Sequence, residues 1–294
     1  MLGLKGIRSN GAGEWTQVFE AYSLFLLADG KAKGTINCYE VPMRCFGRWC
    51  EAHGTSALRA SPTHVQAWIA TRFQEWKPAT AYRAISALRS FYRWLKATGR
   101  RRDDPTLGLK LRTVRHPPHR PYSATEFGAL LVACDNDPPR AVRDRAILRL
   151  FAGAGIRVGE LVAMNLSDVD WDQGIIRIHG KGAKERDVAP GPTAMAALRE
   201  YVNRQGGRVF DIGIGAVEAM IHRREDEAGL GRIHPHGFRH TFAIHFIEQS
   251  RDLDALRVTL GHETLAQAAE YAAYTAKERA LDQQRRMDLG AGPC

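Results

Sequence analysis

From Trp15 onward the chain repeats one pattern: apolar residues at three- and four-residue steps, interrupted by cap and turn signals. That spacing draws one apolar stripe per helix and commits the chain to helices packed face to face. Trp15, Val18, Phe19, Tyr22, Phe25 and Leu26 form the first stripe, and Ile36, Tyr39, Met43, Phe46, Trp49 and Cys50 the second. Pro42 lies inside the second stripe and is expected to kink that helix or delay its start. Ser61-Pro62 reads as an N-cap followed by a first helical position, with Val65, Trp68, Ile69 and Phe73 on one face behind it. Ile85, Leu88, Phe91, Tyr92 and Leu95 mark a fourth helix. The expected first unit is a four-helix domain over residues 15–98, preceded by a Gly-rich flexible tail over 1–14.

Residues 99–121 lack apolar periodicity and contain Pro117-Pro118, which predicts an interdomain linker. Arg100, Arg101, Arg102, Lys110, Arg112 and Arg115 make it basic, as expected of a segment lying along phosphates. Ser123-x-x-Glu126 is a capping box opening a second domain, 122–294. Helical patterns run to Leu150. Two short strands, Gly174–Ile178 and Glu185–Val188, are then joined by the Gly-rich turn Gly180-Lys181-Gly182-Ala183-Lys184. Helices resume at about 191–205, 215–228, 238–249, 252–259, 264–272 and 276–287. The fold class is mainly α: a four-helix domain followed by a mostly α domain with a small antiparallel β-sheet.

Lys plus Arg number 42 against 32 Asp plus Glu, a net charge of +10. That excess points to a polyanionic partner, most often nucleic acid. No apolar stretch is long enough for a membrane span or a signal peptide, which predicts a cytoplasmic protein with no membrane partner. The five cysteines form no Cys-x-x-Cys pair and are expected to be reduced thiols.

In the second domain, basic and polar residues stand beside glycines: Gly155-Ile156-Arg157-Val158-Gly159-Glu160-Leu161, Gly180-Lys181-Gly182, His236-Gly237-Phe238-Arg239-His240 and Leu260-Gly261-His262, with Tyr271 and Tyr274 following. Each has a plain structural reading alone. Together they are the set that phosphoryl transfer on a diester needs without a metal. Arginine forks match phosphate oxygens and stay charged. A lysine brings a proton to a leaving alkoxide. A histidine accepts the nucleophile's proton or holds a phosphate oxygen. A tyrosine hydroxyl attacks, and it leaves again when the bond is reversed. A zinc site on His236 and His240 is disfavoured, because Gly237 stands where a zinc hydrolase needs Glu and Arg239 would repel a cation. No metal or other cofactor is expected.

These motifs resemble the tyrosine site-specific recombinases, the family of Xer recombinases, Cre and phage integrases. Arg157 lies in the Gly-x-Arg-x-x-Glu-Leu turn, Lys181 follows 24 residues on in the hairpin, His236-x-x-Arg239 supplies the next pair, and Tyr271 lies nine residues beyond His262. The resemblance extends from Trp15 to the C-terminal helices. It departs from the family between His262 and Tyr271, where Glu263–Glu270 carries three alanines and is expected to be helical.

The resemblance implies a core-binding domain followed by a catalytic domain, and DNA cleavage through a 3′-phosphotyrosyl intermediate. By it, Tyr271 is the nucleophile, Arg157 and Arg239 hold the phosphate, Lys181 is the general acid, His236 the general base and His262 a phosphate donor. Glu160 orients the site from behind. It further implies double-stranded DNA with a specific recombination site as partner, and a homotetramer in the synaptic complex. An integrase is the favoured role. A Xer-type dimer resolvase with the same chemistry is the alternative, and a non-catalytic DNA-binding protein on the same scaffold a weaker one.

Overall fold

The computed structural model describes residues 13–31, 33–109, 120–180, 184–202, 207–231 and 233–286. The chain divides into two units, Met1–His116 and Pro117–Cys294.

In the first unit, α1 (Gly13–Ala28), α2 (Lys33–Ala52), α3 (Pro62–Glu75) and α4 (Pro78–Ala97) surround one core. The helix-period stripes supply it: Tyr22 and Leu26 from α1, Met43 and Phe46 from α2, Val65 and Trp68 from α3, Leu88, Phe91 and Tyr92 from α4. Aromatic edges meet faces at Tyr22–Phe91, 5.2 Å, and Phe46–Trp68, 5.1 Å. Two stripe residues differ from expectation. Phe25 and Phe73 are exposed, although the Phe25 ring still lies 6.2 Å from that of Trp94. Pro42 does not delay α2, which begins at Lys33 and buries Pro42. Ser61 caps α3 as expected, accepting from the His64 N–H.

The residues after α4 return to this unit instead of leaving it. Leu109 packs on its core, and Asp104 and Thr106 are buried. Arg101 donates to the carbonyls of Leu58 and Ala60, at 2.8 and 2.7 Å, and pairs with Asp103.

The second unit opens at α5 (Ala124–Ala133), whose capping box joins Ser123 and Glu126. A short 3-10 turn leads to α6 (Pro138–Ala154) and α7 (Val158–Ala163). A three-stranded antiparallel sheet follows in the order β1 (Val169–Asp170), β2 (Ile175–His179), β3 (Glu185–Val188). The register pairs Ile176 with Val188 and His179 with Glu185, so Ile176, Ile178 and Val188 face the core while Arg177, His179, Glu185 and Asp187 face out. Then come α8 (Pro192–Val202), α9 (Ile214–Glu227), α10 (Pro235–Ser250), α11 (Leu253–Leu260) and α12 (Leu265–Arg286). The two helices expected over 264–272 and 276–287 are one: the Ala-rich stretch between them holds neither Gly nor Pro to stop it.

This unit has two cores. The larger is built on α5 to α9 and the sheet and reaches Phe238 at the start of α10. The smaller holds Ala243, Ile244, Ile247, Leu256, Leu260, Ala268 and Tyr271 from α10, α11 and α12. Under the larger core, Arg224 and Asp144 form a fully buried pair at 2.8 Å that ties α9 to α6.

Candidate active site

Where α6 ends, Gly155 takes a left-handed conformation with φ 57°, and a Cβ there would lie 2.5 Å from the Phe242 ring. Only glycine satisfies both conditions. The chain turns into α7 with Arg157 as the cap residue. Glu160 accepts from the Arg157 main-chain N–H at 2.9 Å and from its Nη1 at 2.8 Å. The Arg157 side chain remains 47% exposed, while Glu160 is buried.

At the start of α10, His234 accepts from the Gly237 N–H and Pro235 takes the first turn. Gly237 leaves room for Tyr122, whose hydroxyl would lie 1.8 Å from a Cβ at that position. One turn later Arg239 points inward and is 2% exposed. It donates to the Gly155 carbonyl at 2.7 Å and the Leu260 carbonyl at 2.6 Å, the C-terminal ends of α6 and α11. These are the negative poles of two helices. Burial, with the neighbouring cations Arg157 and Arg186, pulls Arg239 down to about 10, so it stays charged in neutral solution.

His262 and Tyr271 complete the cluster from the two sides of the α11–α12 loop. Burial, then Arg239, Arg157, Arg186 and His236, pull His262 down to about 4, which leaves a neutral imidazole at physiological pH. Its Nδ1 is buried with no hydrogen-bond partner among the described residues. Tyr271 is buried, which with the neighbouring Glu270 raises its phenol above the ordinary value although Arg239 and Arg157 pull the other way. Tyr274 is raised too, by burial and then by the charges of Glu278 and Glu248, with Arg120 pulling the other way. The two tyrosines share His240, whose ring centroid lies 5.1 Å from Tyr271 and 6.0 Å from Tyr274.

Arg157, Glu160, Arg239, His262 and Tyr271 therefore share one site, and exposed His236 lies within its electrostatic reach on the first turn of α10. Lys181 lies outside the described residues. On either side of it, the Gly180 N–H donates to the Lys184 carbonyl at 2.7 Å. At the root of that hairpin, His179 lies between two carboxylates, 3.0 Å from Asp168 through Nε2 and 3.0 Å from Glu185 through Nδ1. The hydrogen bond to Asp168, with the Asp168 and Glu185 charges, raises His179 above the ordinary histidine value.

Of the six basic residues expected to follow DNA, Arg101 is turned inward. Its side chain is 12% exposed and engaged by two carbonyls and Asp103. That corrects its expected phosphate contact, because those partners already hold the guanidinium. Arg100 stands over the Trp94 ring at 5.1 Å and is exposed, as is Arg102. Lys110, Arg112 and Arg115 lie outside the described residues.

Two members of the site had no role assigned to them in the sequence reading. Arg186 on β3 donates Nη1 and Nη2 to the two Glu160 oxygens at 3.0 and 2.7 Å, and Nε to the Thr259 carbonyl at 2.8 Å. Its signal was strand parity, since it shares a face with inward Val188. His240 was visible only as the fourth residue after His236. Burial works against charge on Glu160, but the Arg186 fork and the Arg157 main-chain N–H and guanidinium prevail and hold its carboxyl at about 2.

Residues 123–278 match the Phage integrase family, and residues 19–99 match the Phage integrase, N-terminal SAM-like domain. The chain is 30% identical over 274 residues to the tyrosine recombinase XerD of Yersinia pestis, covering 86% of this chain and 91% of that one. It is 32% identical over 251 residues to the tyrosine recombinase XerC of Xanthomonas campestris pv. campestris (strain 8004), covering 81% and 77%. In fold it is similar to a lambda integrase tetramer bound to a Holliday junction, with TM-score 0.71, 18% identity, and 87% and 76% of the two chains covered. It is also similar to the XerH recombinase bound to palindromic difH substrate in a post-cleavage complex, with TM-score 0.71, 18% identity, and 86% and 79% covered. The chain belongs to the phage integrase family. It is a tyrosine recombinase, an enzyme of site-specific DNA recombination.

Proposed function

We propose that this recombinase breaks and rejoins duplex DNA at a specific site with Tyr271 as nucleophile. The phenol oxygen forms a bond to the scissile phosphorus and the P–O5′ bond breaks, leaving a 3′-phosphotyrosyl link. His236 takes the phenolic proton and Lys181 gives one to the departing 5′-oxygen. Arg157 and Arg239 hold the non-bridging oxygens, and His262 donates to one of them. Glu160 orients Arg157. The 5′-hydroxyl of a partner duplex then reverses the step, so bond energy is conserved in the protein–DNA link.

The observation that supports this reading is the burial of Tyr271 with its ring 6.1 Å from that of His262, where the strongest charge acting on its phenol is Arg239, whereas on Tyr274 it is Glu278. The two domains grip the duplex, with the basic residues of 99–121 other than Arg101 along the backbone. Exchange between two duplexes uses four active sites, hence a homotetramer. The tetrameric lambda integrase of similar fold supports this. The protein acts in the cytoplasm; among the described residues no helix is long and apolar enough to cross a membrane. An integrase role rests on the departures before Tyr271. The dimer-resolvase role is favoured by relatives named XerD and XerC that match most of this chain.

The test uses a randomised pool of nicked duplexes from which protein–DNA adducts resistant to denaturant are recovered. Wild type and Tyr274→Phe are expected to form a 3′-linked adduct, and Tyr271→Phe to bind the recovered duplex without forming it. An adduct that survives Tyr271→Phe, or no adduct with wild type, overturns the reading.

A further inference from the structure

We propose that Arg186 is a positioning residue for the cleavage step: from β3, one guanidinium holds Arg157 through Glu160 and the α11 end through Thr259 in fixed relation. The proposal rests on the reading of Arg157 and His262 as groups that hold the phosphate.

Arg186 is a cation on an inward strand face, with a side chain 9% exposed. A charge so placed needs partners on every side. It has them, and each belongs to a different part of the site. Both Glu160 oxygens receive its Nη atoms in a parallel fork, and the same two oxygens receive the main-chain N–H and Nη1 of Arg157. Nε is donated to the Thr259 carbonyl, in the last turn of α11. The next carbonyl, that of Leu260, anchors Arg239, and His262 follows two residues later. A Cβ on Gly261 would lie 3.1 Å from the Arg186 Cδ, so the loop carrying His262 rests on the arginine stem. Arg186 itself lies five residues beyond Lys181.

A buried ion pair adds little net stability, whereas fixed geometry at a phosphate controls rate. The two roles therefore separate. The charged groups facing Glu160 are Arg157 on its own helix, Arg186 on β3 and Arg239 on α10. Without Arg186, burial still opposes charge on Glu160 while its fork is gone, so the carboxyl takes up a proton nearer neutrality and releases Arg157.

The experiment compares full-length wild type, Arg186→Met and Arg186→Lys on the duplex recovered by adduct selection. Both variants are expected to bind it as wild type does. Arg186→Met should cleave about 100-fold more slowly, and its rate relative to wild type should fall further as pH drops from about 7 to 5. Lysine keeps the charge but reaches either Glu160 or Thr259, and should fall between the two. If Arg186→Met is too unstable to assay, Arg186→Lys carries the test, with a slower rate per folded molecule and an acid-side decline of the same sign but smaller. Wild-type rates, or losses that track the folded fraction with an unshifted pH profile, overturn the proposal. If Tyr271→Phe is inactive while Arg186→Met matches wild type, only this inference falls. If Tyr271→Phe still forms the adduct, the phosphotyrosyl reading falls instead.

Discussion

The imidazole of His262 and the phenol of Tyr271 lie nearly parallel, 14° apart in plane with centroids 6.1 Å from one another. Both are uncharged in the free protein, held so by burial and, for His262, by the surrounding cations. A neutral imidazole offers a phosphate one N–H. A primary amide also offers an uncharged N–H donor. His262→Gln should therefore keep most of the cleavage rate, while His262→Ala should lose about 10²-fold, as when one oxyanion donor is removed. Single-turnover cleavage of the selected duplex checks this, and equal losses in the two variants would count against a neutral donor.

The same shift fixes a sign for stability. His262 titrates at about 4 in the folded protein against 6.5 ordinarily. Below 6.5 the unfolded chain binds more protons, so stability falls as pH falls from there toward 4. His179 runs the other way. Its value is raised, so its contribution is complete below the ordinary value and lost as pH rises through the folded one. Melting temperatures against pH should show a shallower acid-side decline in His262→Gln. In His179→Gln, the deficit relative to wild type should be largest in acid and close as pH rises. Slopes of the opposite sign would reverse one or both assignments.

Lys181 can be tested through the leaving group. A 5′-bridging phosphorothiolate departs as a thiolate and needs little protonation. Lys181→Ala should be severely slow on ordinary DNA and largely restored on that substrate. Arg157→Ala should not be restored, because it stabilises charge on non-bridging oxygens. Equal restoration would remove Lys181 as the acid. Lys184, whose Nζ pairs with Glu263 at 3.3 Å across an exposed gap, would be next.

The basic segment separates into two kinds of arginine. Arg112→Ala with Arg115→Ala should weaken binding to specific and random duplexes alike, and flatten log K against log salt by about 0.9 for each contact removed. Arg101→Ala should instead lower the melting temperature, since it strips hydrogen bonds from two part-buried carbonyls, a loss of about 1–3 kcal/mol. It should leave the salt slope alone. A salt slope and affinity unchanged in the Arg112, Arg115 double variant would mean that this segment does not follow the DNA backbone.

The helices were legible because period and caps agree: Ser61 and Ser123 start α3 and α5 where their sequences say. The site was legible as motifs, yet the force that assembles it was not. Arg239 finds the carbonyls of Gly155 and Leu260 across 84 and 21 residues of chain, a pairing no local pattern encodes. β1 is two residues long, too short for alternation to register. Arg101 was miscast because counting positive charges in a segment says nothing about which of them turn inward.

Arg239 is anchored on carbonyls from both hydrophobic cores of the catalytic unit, the larger through the end of α6 and the smaller through the end of α11. The site thus draws on two cores of unequal size, and the smaller can yield before the larger. Proteins yield to heat in cooperative pieces. If α11 and α12 loosen from α10, the smaller core opens, Arg239 loses one anchor, and His262 and Tyr271 leave together, while the larger core is untouched. Inactivation on warming is therefore expected to run ahead of the loss of helical signal, and coincident loss of the two would count against it.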